Sequence, residues 1–162
     1  MDKLIEELRN WGADTDGGIQ RVMNDEEFYR MLILKFADSP EFQSLEAALD
    51  RGDRKEAFCI AHSLKGASAN LSLTPFCRAV SDVVEDLRRY SAGGGCAPSA
   101  AGTGAAAQGS ADPAARTEET PGGRADRASD ADAEADAALE LHLQQYRMER
   151  DLLLGLTRKY AG

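Results

Sequence analysis

Between Ser91 and Ala138 the chain contains no Leu, Ile, Val, Met, Phe, Tyr or Trp. Alanine, glycine, small polar residues and scattered charge fill that stretch. Such a composition cannot bury enough apolar surface to offset the entropy lost on ordering the backbone. Residues 91–130 therefore read as a disordered insertion. A core has to be built from residues 1–90 together with a closing helix at 131–162. The Ala- and Asp-rich run from Ser129 suits the start of that helix, because alanine has the highest helix propensity.

Outside the insertion the apolar pattern is helical throughout. Leu4, Ile5, Leu8 and Trp11 form a short amphipathic stripe that ends at Gly12. Gly17-Gly18 break the chain before a brief helical turn at Ile19, Val22 and Met23. Asn24 or Asp25 caps the next helix. Phe28, Met31, Leu32, Lys35 and Phe36 set its face, and Tyr29 and Ile33 widen it. Ser39-Pro40 is a cap followed by a first-turn proline, and it opens a helix carrying Phe42, Leu45, Ala48 and Leu49 that Gly52 ends. Asp53 with Glu56 opens a longer helix, and Thr74-Pro75 opens the one after it, running to about Tyr90. Leu139, Leu143, Tyr146, Leu153 and Leu156 mark the last, expected antiparallel to the 74–90 helix. No strand-like alternation and no internal repeat appear, so the chain reads as all-α.

A net charge of −9 argues against nucleic acid or an anionic membrane surface as the main partner. No apolar run approaches the roughly 20 residues that span a bilayer. Met1–Glu7 is an acidic amphipathic start and not a signal peptide. Cys59, Cys77 and Cys96 are odd in number and contain no Cys-x-x-Cys pair. Neither a zinc site nor a disulfide framework is indicated, and Cys59 and Cys77 read as small core residues in a reducing compartment. The expected location is the cytoplasm.

The chemistry concentrates in the 53–71 helix. Ala57, Ile60, Ala61, Leu64, Ala67, Ser68 and Leu71 make one apolar stripe. His62 falls off it, with Phe58 one turn before and Lys65 and Gly66 one turn after. A mid-helix glycine costs about 1 kcal/mol relative to alanine. Clearance for another molecule approaching the imidazole would explain that cost, and a close helix-packing contact is the alternative. A neutral imidazole, with an unperturbed pKa of about 6.5, is a usable nucleophile at neutral pH. Lys65 sets a mobile cation beside it, suited to neutralising an anion. A nucleophile, a cation and cleared space suggest a phosphoryl acceptor more than a metal ligand. His142, with no second ligand at a metal spacing, reads as a solvated residue. Tyr29, Phe58 and Phe76 either border a docking surface or belong to the core.

The run His62-Ser63-Leu64-Lys65-Gly66-Ala67-Ser68, with Asn70-Leu71 after it, resembles the signature of the histidine-containing phosphotransfer (HPt) domain. Ser72 departs from it, standing where the family usually has glycine, a difference expected to affect the turn more than the chemistry. The resemblance implies an antiparallel four-helix bundle formed by helices near 25–37, 53–71, 74–90 and 132–160, with additional short N-terminal helices and the disordered insertion outside the usual pattern. The helices near 3–11 and 40–50 would pack around that core. It also implies a shuttle: His62 as phosphoacceptor, Lys65 for charge neutralisation and Gly66 for steric clearance. The implied partners are response-regulator receiver domains and a sensor histidine kinase, met by a monomer. No cofactor of its own is expected, Mg²⁺ coming from the receiver. No Gly-rich phosphate loop is present, so an autonomous kinase is not indicated. The rival reading is a helical adaptor that docks receiver or kinase domains without carrying phosphate.

Overall fold

The computed structural model describes the backbone of residues 2–90 and 128–161, and the side chains of 2–90 and 133–161. Among them are seven helices and no strand: α1 (Lys3–Trp11), α2 (Thr15–Arg21), α3 (Glu26–Ala37), α4 (Glu41–Asp50), α5 (Arg54–Asn70), α6 (Thr74–Arg88) and α7 (Ala128–Arg158). The expected insertion at 91–130 lies outside the described residues up to 127. The closing helix begins at Ala128, three residues before the expected 131, as the alanine propensity of that run allows.

Caps set most boundaries. The side chains of Asp2, Asp14, Asp25 and Asp53 each accept a hydrogen bond from a backbone N–H in the first turn of α1, α2, α3 and α5. Between Asn24 and Asp25 the cap is therefore Asp25. Two expected starts shift. Pro40 is the N-cap of α4, and Ser39 Oγ accepts from the Glu41 N–H at 3.3 Å. Thr74 lies inside α6, whose N-cap is Leu73, so the proline signal holds while the threonine is no cap.

Gly17 and Gly18 do not break the chain; both lie inside α2. A Cβ on Gly18 would come within 2.5 Å of the Tyr29 ring, so this glycine admits an aromatic side chain from α3. The buried face of α3 accordingly differs from the expected one. Tyr29, Ile33 and Phe36 are buried, while Phe28 and Met31 are 43% and 53% exposed. Tyr29 donates its hydroxyl hydrogen bond to the Leu71 carbonyl at 2.7 Å, tying α3 to the end of α5.

Helices α5, α6 and α7 make three sides of the bundle, and α3 and α4 together make the fourth. The helix pairs α5–α6 and α6–α7 pack most extensively, and α4 lies along α5. Glu46 of α4 reaches across to Arg147 (2.9 Å) and Arg150 (2.5 Å) of α7 and closes the ring. The expected 25–37 helix and α4 share this side of the bundle: α4 lies along α5, while α3, with α1, lies against α7. Phe36, Phe42 and Phe76 meet edge to face with centroids 5.4 to 5.8 Å apart, joining α3, α4 and α6 in one core with Tyr146 of α7 beside them.

The α5–α6 hairpin closes through a left-handed residue. Ser72 has φ +56°, its N–H bonds the Ala69 carbonyl at 3.1 Å, and the Leu73 N–H bonds that of Ser68 at 3.0 Å. This is the helix-ending pattern that ordinarily takes glycine at the Ser72 position. Arg21 offsets the strain by donating to Ser72 Oγ and to the Ala69 and Asn70 carbonyls. At the other end of α6, Tyr90 donates to Asp136 at 3.2 Å, and Arg54 pairs with the same carboxylate at 3.0 Å while lying over the Tyr90 ring. Asp86 and His142 meet in the same interface, so α6 and α7 run antiparallel as expected. Cys77 is a half-buried free thiol, whereas Cys59 is disulfide-bonded, which corrects the expectation of two reduced core cysteines.

Candidate functional site

Helix α5 turns Ala57, Ala61, Leu64 and Ser68 into the core. Its apolar spacing leaves the faces at positions 62, 63, 66 and 69 outward, and His62, Ser63, Gly66 and Ala69 are all exposed. Asp53 fixes the start of the helix by accepting the Glu56 N–H at 3.0 Å, and the Ser72 turn fixes its end. The histidine therefore stands more than two turns from either terminus, on rigid backbone.

No hydrogen-bond or ion-pair partner of His62 is found among the described residues. Its one close aromatic neighbour is Phe58, one turn earlier, with ring centroids 5.9 Å apart and planes 30° from parallel. A Cβ on Gly66 would meet nothing within 4 Å. The glycine is therefore not explained by a close contact with another helix of this chain, which removes that alternative. Phe58 is half-buried at the site margin, whereas Tyr29 and Phe76 are fully buried core residues.

Lys65 lies half-buried along the groove between α5 and α6. Its Nζ is 4.0 Å from Glu85 Oε1, at the outer limit of an ion pair. Glu85 is held chiefly by Arg88, through contacts of 2.8 and 3.0 Å, and this hydrogen bonding lowers its pKa, with Lys65 adding a smaller effect. Lys65 is thus only loosely restrained. The three predicted site residues, His62, Lys65 and Gly66, fall on adjacent turns of one helix.

Two neighbours escaped the sequence reading. Glu85 comes from the next helix, and only its position on the α6 face toward α5 could have signalled it. Glu41, at the start of α4, accepts the Ser63 hydroxyl at 2.8 Å, on the residue that follows the histidine. His142, read as solvated, is partly exposed and also has a partner: its Nδ1 is 2.6 Å from Asp86 Oδ2. It lies in the α6–α7 interface and not with His62. Among the described residues no three metal-ligating side chains converge, and no helix is long and apolar enough to cross a membrane.

Residues 33–98 match the family model described as Hpt domain, which spans the end of α3 and all of α4, α5 and α6, while α7 lies beyond the match. Neither the curated proteins nor the solved structures yield a match. Hpt domains carry phosphoryl groups on histidine in phosphorelays, and the stretch of this chain that is similar to them includes the helix that presents His62.

Proposed function

We propose that this chain is a histidine phosphotransfer protein whose His62 accepts a phosphoryl group from one receiver domain, or from a sensor histidine kinase, and passes it to another receiver. The observation that supports it is an exposed imidazole on rigid helix, inside the matched Hpt stretch, with open space at Gly66 one turn on. Transfer of this kind needs an in-line approach and charge neutralisation more than covalent chemistry from the protein. A ring nitrogen of His62 forms the N–P bond as the acyl-phosphate P–O bond of the donor breaks, and the donor aspartate leaves as carboxylate. The second transfer reverses these roles, the acceptor carboxylate displacing the imidazole.

Lys65 is the cation for that step. Its contact with Glu85 is long enough to yield to the three phosphoryl oxygens, whose charge-assisted bonds are shorter and stronger. Gly66 admits the receiver surface, and Phe58 gives it an apolar margin. Mg²⁺ enters with the receiver and neutralises charge from the far side. The setting in this reading is the cytoplasm.

The test is phosphoryl transfer from phosphorylated receivers and kinases of the same organism, read by intact mass at neutral or alkaline pH, with His62→Gln alongside. Gain of one phosphoryl group, absent in the variant and discharged by a receiver, is the expected result. Receiver binding without any labelling overturns the carrier reading in favour of the adaptor.

A further inference from the structure

Helix α7 leaves an apolar seam exposed on a face that none of the other helices covers. Leu141 is 64% exposed, Met148 51% and Leu152 48%. With exposed Gln145 they alternate at spacings of four, three and four, the a/d pattern of a coiled coil. The core face of the same helix is separate and uses Leu139, Leu143, Tyr146 and Leu153. The seam is also symmetric about the point between Tyr146 and Arg147. Leu141 and Leu152 are equidistant from it, as are Gln145 and Met148, and further out Ala138 and Gly155.

The ends carry the orientation. Glu134 on α7 and Lys159, the first residue past its end, are both exposed and stand at the next pair of equidistant positions. Two copies laid antiparallel would set Glu134 of each opposite Lys159 of the other, and Leu141 opposite Leu152. A parallel arrangement would set glutamate on glutamate and lysine on lysine, which is unfavourable. The small pair Ala138 and Gly155 lets the backbones approach on either side of the leucines.

We propose that α7 is a homodimerisation helix, pairing antiparallel with α7 of a second copy about a two-fold axis at Tyr146–Arg147. Such an isologous contact uses one patch on both subunits, and it replaces the monomer expected from the sequence. The active helix α5 packs on α4 and α6, so the pairing leaves His62 outward on each copy.

Sedimentation equilibrium of the full chain tests this. A mass of two chains that falls to one on dilution is expected. Glu134→Lys should weaken the dimer about tenfold, since the symmetry removes two exposed ion pairs at once. Glu134→Lys combined with Lys159→Glu should restore it. Lys159 also contacts Glu7 at 3.3 Å in its own chain, so the Glu134 variant is the cleaner single change. Leu141→Glu should abolish the dimer with the helical circular-dichroism signal retained. One-chain mass at every concentration overturns the proposal, and so does a dimer indifferent to Leu141→Glu. A dimer that the double charge reversal fails to restore overturns the antiparallel register.

Discussion

Asp86 and His142 meet at 2.6 Å across the α6–α7 interface, although 56 residues separate them in the chain. The carboxylate is largely covered, its side chain 15% exposed, so it is costly to leave without its partner. Asp86→Ala and His142→Ala should each lower stability by about 1–2 kcal/mol in urea denaturation. The double variant should cost less than the sum, with a coupling of about 1 kcal/mol. Phosphotransfer should persist in all three, since the pair lies outside the His62 site.

Gly66→Ala should separate stability from activity. A methyl group there meets nothing in this chain, and alanine is the better helix former. The variant should gain about 1 kcal/mol in urea denaturation. Transfer from a phosphorylated receiver should fall, and fall further in Gly66→Leu, with the isolated protein still folded. Unchanged transfer in the leucine variant would remove the clearance role.

Lys65→Ala should do the opposite. Its ion pair with Glu85 is long and partly exposed, so stability should move by no more than about 0.5 kcal/mol. The rate of phosphoryl transfer to His62, followed by rapid quench, should fall about ten- to a hundredfold, the scale on which single groups that stabilise developing charge act. Glu85→Gln, which releases the lysine, should leave that rate equal or higher.

Stability should decline on the alkaline side through Tyr29. Burial pushes its phenol from 10.0 up to about 12, with Asp14 adding to the rise and Arg21 opposing it. The native state therefore binds this proton more tightly than the unfolded chain. The stabilisation is fully present below pH 10 and is lost as pH climbs through about 12. Tyr146 and Tyr160 are raised as well, the first by burial and the second by its hydrogen bond to Glu7. Tyr29→Phe should cost about 1 kcal/mol at neutral pH, from the bond to the Leu71 carbonyl, and should flatten the alkaline decline measured by urea denaturation.

The geometry of the candidate site was legible because its parts are local. His62, Lys65 and Gly66 lie within five residues, and the helix period alone places them on neighbouring turns. The faces of isolated helices were less so. Phe28 and Met31 look like core residues on α3, yet Tyr29 is buried instead because Gly18, eleven residues earlier, makes room for its ring. A glycine pair signals a break in one dimension and a docking notch in three. The tie between α4 and α7 rests on Glu46 meeting two arginines about a hundred residues away, and the Asp86–His142 pair has the same character. Such pairings depend on how helices are arranged, which periodicity does not encode. Ser72 lies between these cases. Its turn was readable from position, but the Arg21 tether that sustains a left-handed serine was not.

The clasp of Tyr90, Asp136 and Arg54 draws three helices together at one carboxylate. Tyr90 follows the end of α6, Asp136 lies in the first turns of α7, and Arg54 opens α5. Asp136 therefore sets the register of α7 on the α5–α6 hairpin from a single point, and the Asp86–His142 pair, six residues further along α7, repeats that setting. Two such pins on one pair of antiparallel helices leave α7 no freedom to slide by a turn, so the face that α5 offers with its histidine is held by a frame of fixed length.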